Sequence, residues 1–419
     1  MRCSPLLLHR QMMPFLMILC CLLFAVPGCS LKEIHEQIKI AENVGFIKGN
    51  IKLTSDQKGA VIVLRFRDEK GIPVLESQVI ASEKGDFLFS VIPGTHYIAA
   101  FIDVNKDGRY QPGEHGNYHG IPSKIDLAPK QTVRLETITI AREVPKPETE
   151  IKPIAKIRAV WKNIGKVVAL DDPRFSRDNY AMGLWRPFDF LDQAEGGLFF
   201  LQGYQQGKVP VLLVHGVNGG PTDWEKVIES LDKQLFQPWV FYYPSGLRLD
   251  MISDYLVEAV SRLQHKYGFT EFNVIAHSMG GLVTRSFVKK YVEHAPENSK
   301  RLRLVMTVNS PMAGMSSAAA GVKHSPIVVP SWRDVEPGSA FLQGIHAWNW
   351  PQEIPYHLVI SYANGESGDG VVPLQSQVPL KLQLESIRMY AFNNDHVGTL
   401  NDNNFLGLLN RILKDNIEK

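Results

Sequence analysis

The chemistry-bearing centre of this chain is Val274-Ile275-Ala276-His277-Ser278-Met279-Gly280-Gly281-Leu282-Val283. An apolar run (Phe272, Val274, Ile275) ends there in a turn of small residues, and Leu282, Val283, Phe287, Val288 and Tyr291 follow at helical spacing. The pattern predicts a strand, a tight turn and a helix with Ser278 at the apex. A serine so placed can attack a carbonyl carbon, and the helix N-terminus behind it offers free N–H groups and a positive dipole end to the oxyanion. Small residues at Ala276 and Gly280 let the flanking chain pass close by. A serine hydroxyl is a weak nucleophile by itself. It needs a base to take its proton, and the base needs an acid to fix its tautomer.

The elements that must position such a group are legible on either side. Pro210-Val211-Leu212-Leu213-Val214 is a continuous apolar run, as expected of a buried parallel strand. Trp239 to Tyr243 reads as a second strand and Asp250 to Tyr267 as a helix with Leu256, Val260 and Leu263 inward. Leu302 to Val308, His357 to Ser361 and Arg388 to Phe392 complete the strands. Strands alternating with helices predict an α/β domain with a doubly wound, mostly parallel sheet and the site at the strand carboxyl ends.

The serine turn, with Ala276 in the first position of a G-x-S-x-G pattern, resembles the nucleophile elbow of the α/β-hydrolases. Within that superfamily, residues 205–410 resemble the triacylglycerol lipase/esterase branch. The resemblance implies the chain order serine, acid, histidine. It places the acid at Asp369, in Ser367-Gly368-Asp369-Gly370-Val371-Val372-Pro373, and the base at His396, in Asn394-Asp395-His396-Val397-Gly398. His215-Gly216-Val217-Asn218-Gly219-Gly220 is similar to an oxyanion loop, which implies N–H donors at Val217 and Met279 and a supporting role for His215. Glu366 is a second acid to consider. Asp395 reads as a loop or capping residue, since neighbours in sequence rarely point at one another. His324, His346 and His357 precede the acid, against the family order. Residues 311–352, with a small apolar stretch from Met312 to Gly321 and the aromatics Trp332, Phe341, Trp348 and Trp350, read as a cover over the site.

The N-terminal third has a different character. Arg2, His9 and Arg10 precede an apolar run from Met12 to Val26, too short for a comfortable membrane span. Val26-Pro27-Gly28-Cys29-Ser30 resembles a bacterial lipobox, which implies cleavage of residues 1–28, lipidation of Cys29 and sorting to the outer membrane; an ordinary signal peptide or an uncleaved anchor are the alternatives. All four cysteines lie in this segment (Cys3, Cys20, Cys21, Cys29), so the mature chain has no internal disulfide and no cysteine metal site. Loss of Arg2 and Arg10 lowers Lys+Arg from 45 to 43 against 43 Asp+Glu, a balance that gives no electrostatic case for nucleic acid.

Residues 29–43 read as a spacer or short helix off the anchor. Residues 44–143 show short strands broken by turn residues, which predicts a small all-β sandwich. The run from Gly85 to Tyr97 resembles transthyretin-like or carboxypeptidase-regulatory-like domains. Within it, Asp103, Asn105, Asp107, Gly108 and Glu114 stand at positions 1, 3, 5, 6 and 12 of a calcium-loop pattern, with the Arg109 carbonyl as a further ligand. A hairpin loop without an ion is the plain alternative. Residues 144–155, rich in proline and alternating charge, predict a stiff linker, and 156–419 the catalytic domain.

The expectation is therefore a lipid-anchored serine hydrolase of the cell envelope that cleaves carboxylic esters, acyl lipids above all, with no cofactor in the chemistry and a structural calcium ion. Thioesterase, acyltransferase and peptidase activities use the same parts, and a non-catalytic surface binding lipoprotein is the reading from another class.

Overall fold

The computed structural model of the chain describes residues 31–120, 123–141, 163–363 and 367–417. The expected signal peptide, Cys29, the linker at 144–155 and Glu366 lie outside the described residues. The first element, α1 (Leu31–Glu42), buries Ile34, Ile38 and Ala41 on one face, so the segment expected as a spacer or short helix is a packed amphipathic helix.

Nine strands follow: β1 (Gly45–Leu53), β2 (Ala60–Glu69), β3 (Ile72–Ile80), β4 (Asp86–Val91), β5 (Gly94–Asp103), β6 (Gly116–Tyr118), β7 (Ile125–Leu127), β8 (Thr132–Arg134) and β9 (Ile138–Ile140). One sheet runs β4-β1-β8, with β9 also on β1; the other runs β3-β2-β5-β6, with β7 also on β5. Lys70 and Gly71 join β2 to β3 with φ of 57° and 84°, the positive pair that a two-residue hairpin turn requires. Strand alternation sends Ile47, Ile51, Phe87 and Phe89 from one sheet to meet Val63, Ile98, Ala100 and Ile102 from the other. This is the small sandwich the turn spacing predicts.

The second unit contains α2 (Arg177–Trp185), α3 (Pro187–Gln193), β10 (Gly197–Phe200), β11 (Val209–Val214), α4 (Glu225–Ser230), β12 (Phe236–Tyr242), α5 (Leu249–Tyr267), β13 (Phe272–His277) and α6 (Met279–His294). It continues with β14 (Leu302–Val308), α7 (Ser316–His324), α8 (Pro330–Val335), α9 (Ala340–Ala347), β15 (Tyr356–Ser361), α10 (Leu374–Gln377), α11 (Leu380–Glu385), β16 (Arg388–Phe392) and α12 (Asn403–Ile417). The sheet order is β10-β12-β11-β13-β14-β15-β16. Only β10 among these pairs is antiparallel. Leu212 and Val214 of β11 face a layer with Leu256, Val260, Leu282 and Val283, while Val211 and Leu213 face the opposite layer with Leu409 and Leu413. Both faces are covered by helices, which is why β11 and β13 read as unbroken apolar runs.

The sandwich docks on α5. The Ile80 N–H donates to Glu258 Oε2 at 3.0 Å, and His265 Nε2 lies 2.9 Å from Asp103 Oδ2. Burial in this contact pushes the Glu258 carboxyl up to about 7. Among the described residues no helix is long and apolar enough to cross a membrane.

Candidate active site

Ser278 sits between β13 and α6 with φ 55° and ψ −132°, a conformation that a residue with a side chain adopts only when its surroundings enforce it. The enforcement is steric. A Cβ on Gly280 would lie 2.4 Å from the carbonyl oxygens of both Val214 and His215, so α6 can approach β11 only with glycine there. A Cβ on Gly216 would likewise meet the Ser278 Cβ at 2.8 Å. The small residues expected around the turn are thus what lets strand, turn and the 215–220 loop share one space. Ala276, fully buried, fills the remaining position.

Asp369 and His396 come together as the sequence order implies. His396 Nδ1 lies 2.7 Å from Asp369 Oδ2, and Asp369 is 1% exposed. The other carboxylate oxygen, Oδ1, accepts the N–H groups of Val371 at 3.0 Å and Val372 at 2.7 Å. The acid is therefore held as an anion-ready acceptor on both sides, and its bond to Nδ1 leaves His396 Nε2 free to accept a proton. Asp395 instead caps its own loop, accepting from the N–H groups of Val397 and Gly398. His346 bonds the Met312 carbonyl and His357 stacks on Tyr390, away from the pair. His324 ends α7.

His215 is packed beneath its own loop. Its ring is stacked on Tyr243 at 4.1 Å, Nδ1 donates to the Gly216 carbonyl at 2.8 Å, and Nε2 accepts the Tyr243 N–H at 3.3 Å. Those two bonds select one neutral tautomer, and burial lowers its pKa to about 4. Asn218, at φ 52°, anchors the loop by donating its N–H to Ser245 Oγ. Met279 opens α6 and so has no helical acceptor for its N–H. Val217 and Met279 both line the cavity into which Ser278 opens.

Three positioning residues carry no signal in the local pattern. His277, the last residue of β13, donates from Nε2 to the His396 carbonyl at 2.9 Å; burial, with His396 adding to it, lowers its pKa to about 3. Asn309, just after β14, donates to the same carbonyl at 3.0 Å. Gln377 donates to the carbonyls of Ser361 at 3.0 Å and Val372 at 2.9 Å, tying the acid loop to β15. The partner of His277 and Asn309 lies 119 and 87 residues away, so only a signal of long-range pairing could have revealed those two.

The cavity at Ser278 holds about 190 Å³. Leu184 and Trp185 of α2 line one side; Met315, Ala318 and Trp332 of the cover segment line another. The cover is anchored from below, with Ser376 Oγ donating to the Gly314 carbonyl and Asp334 paired to Arg248 at 2.6 Å. The arrangement sets an apolar cavity beside Ser278.

In the loop of Asp103, Asn105, Asp107, Arg109 and Glu114 the side-chain oxygens accept mainly from the loop's own N–H groups. Glu114 spends both oxygens on the N–H groups of Val104 and Gln111. Asp107 accepts from the Arg109 N–H and the Gln111 amide, and Asn105 from the Asp107 N–H. Asp103 Oδ2 takes the Gly108 N–H and faces His265, while its Oδ1 is buried without a partner. Among the described residues no group of three or more His, Cys, Asp or Glu side chains is gathered to hold a metal.

Residues 248–395 match a family described as alpha/beta hydrolase of unknown function, DUF915. No curated protein matches the chain. Among solved structures the chain is similar to Bacillus licheniformis lipase BlEst2 in its mature form, at 15% identity and a TM-score of 0.41, over 51% of this chain and 94% of that one. It is also similar to the product of gene lin2722 from Listeria innocua, at 16% identity and a TM-score of 0.39, over 49% of this chain and 94% of that one. A metagenomic carboxyl esterase is similar at 12% identity and a TM-score of 0.39, over 52% of this chain and 77% of that one. The chain carries an α/β-hydrolase fold behind a small β-sandwich, and its segment from Arg248 to Asp395 matches an α/β-hydrolase family of unassigned function.

Proposed function

We propose that this protein is a serine hydrolase that cleaves carboxylic esters of acyl lipids. The observation that carries the reading is the buried Asp369–His396 pair on the same sheet edge as a serine held at positive φ over an apolar cavity. Ser278 Oγ attacks the ester carbonyl while His396 Nε2 takes its proton, and Asp369 steadies the imidazolium. The N–H groups of Val217 and Met279 receive the oxyanion. The tetrahedral intermediate collapses with proton transfer from His396 to the departing alcohol, leaving an acyl ester on Ser278. Water then gives its proton to His396 and attacks the acyl carbon, releasing the acid and restoring the serine.

Lipidation at Cys29, residence in the cell envelope and calcium in the 103–114 loop belong to the same proposal. The buried, unpartnered Asp103 Oδ1 supports calcium, whose binding would require Glu114 to release Val104 and Gln111. The test of the activity is hydrolysis of p-nitrophenyl esters of increasing chain length by residues 30–419, beside its Ser278→Ala variant. Turnover that disappears in the variant is expected. A wild-type protein inert to the whole series, and unlabelled by a fluorophosphonate, would replace this reading with a non-catalytic binding module.

A further inference from the structure

The helix α1 lies against the back of the acyl cavity wall. Its Ile34 and Ile38 pack with Leu184, Trp185, Ile327 and Val329, and Trp332 packs on that cluster. Leu184, Trp185 and Trp332 are themselves cavity-lining residues. Polar bonds hold α1 to both flanks of the wall. Gln37 accepts the Phe188 N–H at 3.0 Å and donates to Asp189 at 2.9 Å, and Glu42 pairs with Arg333 at 3.1 Å. The helix is thus bolted to the elements that shape the cavity, with its opposite face in solvent and Leu31 61% exposed at its start.

Chain length fixes what lies next to it. Cys29 is two residues before Leu31, so its Cα lies within about 7 Å of the helix start. The apolar run Met12 to Val26 ends five residues before Leu31, so an uncleaved anchor would approach from the same place. The helix itself is about 18 Å long at 1.5 Å per residue. The candidate site is also rimmed by exposed apolar side chains: Val217 is 43%, Val371 46% and Val397 52% exposed, each within two residues of an oxyanion donor, the acid or the base.

We propose that α1 is a rigid strut between the membrane anchor and the cavity wall, so that the site works on acyl lipids of the leaflet that holds the anchor. The occupant of the apolar rim is that lipid surface. Membrane attachment and substrate entry are one mechanical unit, because the element nearest the anchor also backs Trp185 and Trp332. The inference rests on the serine-hydrolase reading and on an anchored N-terminus.

The experiment uses the full-length anchored protein in phosphatidylethanolamine/phosphatidylglycerol vesicles. A fluorogenic acyl lipid is placed either in the same vesicles or in separate ones, and p-nitrophenyl butyrate in solution serves as the reference substrate. Same-vesicle turnover at least tenfold above separate-vesicle turnover is expected. Inserting twenty Gly/Ser residues between Ser30 and Leu31, outside the site, should cut same-vesicle turnover at least fivefold and leave butyrate hydrolysis unchanged, as the effective concentration falls with tether length. A second variant, Ile34→Asp with Ile38→Asp, should raise KM for long-chain esters more than for butyrate. Equal turnover in the two vesicle arrangements, or an insertion without effect on lipid turnover, would overturn the strut. Absence of butyrate hydrolysis in the wild-type protein would instead remove the serine-hydrolase reading, and the strut with it.

Discussion

Asp369→Asn should separate the two tasks of the buried acid. Asparagine is isosteric, and its carbonyl oxygen can still accept the N–H groups of Val371 and Val372 that Oδ1 now satisfies. Its NH₂ group would then face His396 Nδ1, where the carboxylate now stands 2.7 Å away. A ring nitrogen facing a donor must itself accept, so the proton moves to Nε2, and the base presents a hydrogen to Ser278 instead of a lone pair. The imidazolium of the transition state also loses its counter-charge in a site where Asp369 is 1% exposed. The wrong tautomer in a triad costs about 10⁴ in kcat, roughly 5 kcal/mol of barrier at 1.36 kcal/mol per decade. Asp369→Ala adds a structural loss, since the buried Val372 N–H is left unpaired at about 1–3 kcal/mol, while the Val371 N–H can turn to water. The assay is kcat on a p-nitrophenyl ester together with a thermal melt. Asn should lose activity with a melting point close to wild type, whereas Ala should lose both. An Asn variant within tenfold of wild-type kcat would refute the argument and remove Asp369 as the acid.

Other perturbations test the surroundings of the pair. Asn309→Ala removes one of two donors to the His396 carbonyl, and a base displaced by a fraction of an ångström should lower kcat about tenfold to a hundredfold with KM little changed; unchanged kcat would show that His277 alone positions the base. Glu258 holds its proton up to about pH 7 in the fold and releases it near its ordinary 4.5 when unfolded, so between those values the folded state binds more protons. Stability should therefore fall as pH rises through that window, and melts from pH 4.5 to 8 should show a slope that Glu258→Gln flattens; an identical slope in the variant would place the titration elsewhere. Calorimetric titration with Ca²⁺ should show one saturable site that Glu114→Gln abolishes, and a flat titration would return the 103–114 loop to a hydrogen-bonded hairpin.

The sequence was most legible where burial is two-sided and local geometry is extreme. Leu212 to Val214 and Phe272 to Ala276 could be read as strands because helices cover both faces, and the elbow because only small residues fit between α6 and β11. Arg388 to Phe392 stands where its pattern predicts. β10 escaped notice because Gly197-Leu198-Phe199-Phe200 is four residues long, at the lower limit over which a strand pattern separates from a turn. The wall made by α2 was equally hidden: Leu184 and Trp185 lie more than ninety residues before Ser278, and nothing local marks them as cavity-lining. α1 could be seen as helical, yet its partners Leu184 and Val329 sit far along the chain. The calcium pattern shows the converse, since spacing alone does not say whether carboxylates turn toward an ion or toward their own loop's N–H groups.

The bonds on His396 also have a consequence for how this sheet fails. β13, β14, β15 and β16 are successive neighbours, and His396, four residues past the end of β16, is tied by His277 to β13, by Asn309 to the end of β14 and by Asp369 to the loop that follows β15. His396 is triangulated by two strand ends and the loop after a third. A slip of any one strand by a fraction of its rise tilts the imidazole while most apolar burial survives. Loss of turnover should accordingly run ahead of loss of secondary structure under mild denaturant, making the reaction itself the most sensitive gauge of whether the carboxyl edge of the sheet is in register.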